Sequence, residues 1–94
     1  MFKLKAVLWR TRSNLLFDES LLTGIVELDE QLYSQIVPKI DKIMNSIDQI
    51  SEQTFAEVGL PIPPEYVAEI NTWFEAEIKK ILIEYKRTVL EKVQ

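Results

Sequence analysis

Gly59-Leu60-Pro61-Ile62-Pro63-Pro64 is the stretch on which the fold turns. Glycine takes the left-handed conformation that ends many helices, and proline cannot continue a helix but presets the first turn of the next. The hexapeptide therefore reads as a helix end, a short connection and a helix start. It divides the chain into a block at 18–58 and a helix at 64–92. A link this short favours an antiparallel αα-hairpin.

Working back from the break, Ile25, Leu28, Leu32, Ile36, Ile40, Ile43, Ile47 and Ile50 recur at steps of three and four. They fall in a sector of about 120°, the core-facing stripe of an amphipathic helix, with Tyr33, Val37 and Met44 on one flank. Asp18, Ser20 and Thr23 are competing caps, and Gly24 weakens the first turns by about 1 kcal/mol relative to alanine. Pro38 removes a hydrogen bond at a cost of roughly 3 kcal/mol. Yet the stripe keeps its phase across it, which predicts a kinked continuous helix over a break. From Ser20 to Val58 such a helix would span about 60 Å.

Working forward, Val67, Ile70, Phe74, Ile78, Ile81, Leu82, Tyr85 and Val89 form a second stripe about 140° wide. Glu65, Glu69, Glu75 and Glu77 occupy the early turns, and Lys79, Lys80, Lys86, Arg87 and Lys92 the late ones, in the order the helix dipole favours.

The segment 1–17 is read differently. Phe2, Leu4, Ala6 and Leu8 alternate with Lys3, Lys5, Val7 and Trp9, the period-two mark of a half-buried strand. Thr11-Arg12-Ser13-Asn14 then reads as a turn and Leu15-Leu16-Phe17 as a second apolar piece. A helix with Leu4, Val7 and Leu8 on one side is the alternative. The expected fold is mainly α: a long antiparallel helical hairpin with a short N-terminal strand or helix, dimerising into a four-helix assembly.

Ninety-four residues make one small domain, so a two-domain enzyme is excluded. The chain has no cysteine and no histidine. Thiolate chemistry, disulfides, cysteine metal sites and the commonest general base are thereby removed. No Gly-rich phosphate loop appears, and the acidic pairs Asp41/Asp48 and Glu65/Glu69 have the spacing of ordinary solvated helix faces. The expectation is a protein that is not an enzyme and has no cofactor.

Charge is unevenly placed. Lys3, Lys5, Arg10 and Arg12 give the first 17 residues +4, whereas the remainder carries −8, within a total of −4. The acidic body opposes nonspecific binding to nucleic acid and anionic lipid. The basic segment suggests two alternatives: a dimeric β-ribbon that reads a DNA groove through Lys3, Lys5, Arg10 and Arg12, or a surface helix on anionic lipid. Lys79-Lys80 and Lys86-Arg87 read as solubilising charge, with Glu75 and Lys79 in the favourable i, i+4 order. No apolar run reaches transmembrane length and Ala6 to Trp9 is too short for a signal-peptide core, so the expected location is cytoplasmic.

The stripes themselves point to the function. A stripe wider than about 100° has apolar area left over after pairing once. Beyond the second stripe lie Tyr66 and Trp73 on one side and Ile83 and Leu90 on the other. The N-terminal segment, a second copy in a homodimer, or another protein must cover this surplus. The sequence thus predicts an interaction module, a small adaptor, regulator or inhibitor, with Trp9, Tyr66, Trp73, Ile83 and Leu90 as partner-binding residues. Large aromatics are the best anchors in this set, because they dominate interface energetics.

Overall fold

The computed structural model describes residues 4–18 and 24–93. They form three helices around one core: α1 at Leu4–Leu16, α2 at Val26–Glu57 and α3 at Pro64–Val93. Among the described residues there is no strand.

The turn at 59–64 forms as its residue types dictate. Gly59 adopts φ 69°. Its N–H donates to the carbonyl of Ala56 while the N–H of Leu60 donates to that of Phe55, both at 3.0 Å. These two bonds are a Schellman motif and satisfy carbonyls that a helix end leaves without helical donors. Beyond them, the Pro63 carbonyl accepts from Val67 N–H at 3.1 Å, so Pro64 occupies the first helical position, where its missing N–H is no loss.

α2 begins at Val26, later than the 18–58 span read from the sequence. Gly24 has φ 82° and cannot be a helical residue there, and Ile25 is an extended N-cap with no side-chain capping bond. Asp18 stands just past α1, and the other two candidate caps, Ser20 and Thr23, lie outside the described residues. The helix runs through Pro38 without a break. Position 38 is exposed, so the carbonyl deprived of its donor lies within reach of water.

From Leu4 to Leu16 the N-terminal segment is a helix, and the strand reading is overturned over these residues, with Phe2 and Lys3 outside the described ones. In a strand Leu4, Ala6 and Leu8 would share a face; here Leu4 and Leu8 are buried and Ala6 is exposed. Leu15 and Leu16 complete the buried side at helical spacing. Thr11-Arg12-Ser13-Asn14 holds no glycine or proline to stop the helix, and the first two of these side chains are bound by the other two helices. Thr11 Oγ1 donates to Asn71 Oδ1 at 2.6 Å, and Arg12 makes a two-pronged contact with Asp41 at 2.5 and 3.3 Å. The Tyr33 hydroxyl donates to the Leu16 carbonyl at 2.6 Å, near the end of α1.

The core takes Leu32, Ile36, Ile40 and Met44 from α2 and Val67, Phe74, Ile78 and Leu82 from α3, together with the four leucines of α1. The α2 and α3 sets each repeat at four or seven residues, one side of a helix. Contacts between α2 and α3 run in reverse chain order. Ser51 Oγ meets the Tyr66 hydroxyl at 2.7 Å near the turn, and Tyr85 donates to Gln35 Oε1 at 3.1 Å further along. The molecule is a rod of 54 × 18 × 16 Å. With 13 residues, α1 covers about 20 Å of that length.

Candidate functional site

The position of α1 decides which apolar surface stays open. α1 holds Asp41 of α2 and Asn71 of α3. Ile43 and Trp73 stand two residues beyond these, about 160° round their helices, and so face the opposite side. On that side two grooves follow the seam between α2 and α3.

The groove nearer the turn, about 300 Å³, is lined by Ile47, Ile50, Ser51, Tyr66, Ile70 and Trp73. Its rim is apolar and open: Ile50 is 64% and Trp73 49% exposed. Tyr66 is fixed by the fully buried Ser51 and by the Phe55 ring, which meets it edge-on with centroids 4.9 Å apart. The second groove, about 570 Å³, has Ile36, Ile43 and Ile81 as its apolar lining. Lys39 and Lys42 stand on its α2 side, and Glu84, Tyr85 and Thr88 on its α3 side.

The partner-binding residues read from the sequence do not share one surface. Tyr66 and Trp73 come together in the first groove. Ile83 and Leu90 line a separate depression of about 320 Å³ with Lys86, Arg87 and Glu91. Trp9 lies on α1, half-exposed, with the Arg12 guanidinium 4.2 Å from its ring centroid. This cation–π contact follows from their i, i+3 spacing on a helix.

The same helix removes the basis of the β-ribbon. Lys3 lies outside the described residues, Lys5 and Arg10 are exposed, and Arg12 is occupied by Asp41 and Trp9. Lys5 and Arg10 are five residues apart, about 140° round α1, so they form no single basic stripe. The lipid-surface reading loses Leu4, which is buried against the other helices. Asp41, one of the noted carboxylates, is the ion-pair partner of Arg12; Glu75 pairs with Lys79 at 3.2 Å, the expected i, i+4 contact. No helix among the described residues is long and apolar enough to cross a membrane.

Ile36, Ile43, Ile47, Ile50 and Ile70 were not singled out by the sequence, where they belong to the core stripes. The available signal was stripe width: sectors of about 120° and 140° exceed what one helix contact covers. Which part of each sector stays open depends on where α1 docks, and the stripes carry no record of that.

Compared with protein-family models, curated proteins and solved structures, the chain matches none.

Proposed function

We propose that this protein is a non-enzymatic interaction module whose α2–α3 face, on the side away from α1, receives a protein partner. α2 and α3 act as an antiparallel helical hairpin, a reading supported by the reverse order of their contacts. α1 braces one side of that hairpin and leaves the other for association. The carrying observation is the adjacent pair of grooves with Ile50 and Trp73 standing open at one end. An aromatic side chain held half-exposed beside an apolar groove is a strong interface anchor, because covering it removes a large apolar area from water. The cytoplasmic location expected from the sequence remains part of this proposal. Nucleic-acid recognition has no comparable support, since the ribbon it required is a helix.

Site-specific photocrosslinking tests the reading. A benzoylphenylalanine in place of Trp73 is expected to give a discrete protein adduct in cells, whereas the same probe at the exposed Arg10 of α1 gives little. Equal labelling from the two positions would remove the face assignment.

A further inference from the structure

We infer that the partner on this face is a second copy of the chain, related by a two-fold axis parallel to the helices, so that α2 of each copy lies on α3 of the other. The inference rests on the face assignment above and supplies its occupant. Its warrant is the charge that borders the seam. Lys39 and Lys42, both exposed, stand on the α2 side of the larger groove, and the exposed Glu84 stands on the α3 side. Glu77, four residues after Trp73 and four before Ile81, extends the acidic border on the same side of α3. Lys80, seven residues after Trp73 and four before Glu84, is exposed on the same side of α3, about 60° further round than Glu77 and so at the outer edge of that side. Among the described residues, Arg12 pairs with Asp41 and Lys79 with Glu75, and Lys39, Lys42, Glu77 and Glu84 belong to neither pair.

A face basic along one edge and acidic along the other is complementary to itself under one rotation only. Lys39, Lys42 and Glu84 line a single groove and therefore stand at the same level along the rod. A two-fold parallel to the helices keeps every level and exchanges left with right. Each lysine pair then faces the glutamates of the second copy while the isoleucines of both copies meet between them. A two-fold across the rod would instead lay α2 on α2 and forgo the match. Isologous pairing of this kind is the commonest oligomer symmetry, and charge across an interface mainly fixes register. The area suffices: a side measuring 54 by 18 Å can supply the roughly 800 Å² per partner of a standard interface. The product is a four-helix core with an α1 on each outer side.

Sedimentation equilibrium of the whole chain and of two charge-reversed variants tests this. The wild type is expected to be a dimer. Lys39→Glu with Lys42→Glu, and Glu77→Lys with Glu84→Lys, should each dimerise at least about tenfold more weakly alone and recover a 1:1 dimer when mixed. Circular dichroism checks that helicity is kept. Should a reversed variant lose helicity, Lys39→Gln with Lys42→Gln gives the alternative readout, a weaker dimer with less dependence on salt. A wild type that stays monomeric at every concentration overturns the inference. So do reversed variants that each dimerise as tightly as the wild type, or that do not recover on mixing. A monomer whose Trp73 probe captures a different protein would retain the interaction module and reject the second copy.

Discussion

At the scale of single residues, the contact between Ser51 and Tyr66 links core packing to the open face. Among the described residues Ser51 is the buried polar one, 1% exposed, and its hydroxyl has the Tyr66 hydroxyl as its partner at 2.7 Å. Tyr66 is only half-buried, so its hydroxyl can turn to water if Ser51 is lost. Ser51 has no such recourse beyond its own helix carbonyls. Tyr66→Phe should therefore cost more stability than Ser51→Ala, about 1 kcal/mol against a few tenths, because a buried hydroxyl left only a bond back to its own helix is worse than a pair removed. The double variant should lie close to Ser51→Ala. Urea unfolding of the four proteins measures this, and additive losses would show that the two hydroxyls do not act as a pair. Residue-scale features divide in legibility. Trp9 over Arg12 follows from spacing three apart once a helix is assumed, but Thr11 with Asn71 and Arg12 with Asp41 join positions 60 and 29 residues apart, and no local pattern announces them.

At the scale of elements, α1 is where local pattern and tertiary packing disagree. Alternation over residues 2–8 is a short signal, and Ala6 is too small to contribute much to a buried strand face. Helical spacing of Leu4, Leu8 and Leu15 wins because it lets one side of the segment fill the space between α2 and α3. Leu8 is fully buried and Ala6 exposed, so Leu8→Ala should destabilise by about 2–5 kcal/mol and Ala6→Asp by no more than about 0.5. Similar losses in a thermal unfolding comparison would restore a shared strand face and sink the helix. The break at 59–64 was legible because glycine and proline act through backbone geometry alone. The stripes of α2 and α3 were legible for the same local reason, whereas the start of α2 was not. Three polar caps competed for that start, and the left-handed Gly24 placed it at Val26. Of the candidate site, Tyr66 and Trp73 could be read from their seven-residue spacing. Its isoleucines could not be told from core.

At the scale of the whole molecule, the rod is built asymmetrically: two long helices joined by a stiff turn, and one short helix laid across both. Adjacent residues of α1 hold different helices, Thr11 taking Asn71 of α3 and Arg12 taking Asp41 of α2. The seat of α1 thus exists only after α2 and α3 have met. Ser51 and Tyr66, by contrast, are 15 residues apart across a turn whose backbone is already set by Gly59 and its prolines, and loop-closure entropy rises with the length enclosed. Assembly should therefore be ordered, the long pair zipping from its turn and the short helix docking after the rate-limiting barrier. In stopped-flow kinetics Leu8→Ala would then mainly hasten unfolding, while Ile70→Ala, on the side away from α1, would slow refolding. Because the brace arrives last, every newly made chain passes through a stage in which both sides of its helical pair are bare, and the order of docking decides whether it meets its own first helix or a neighbour.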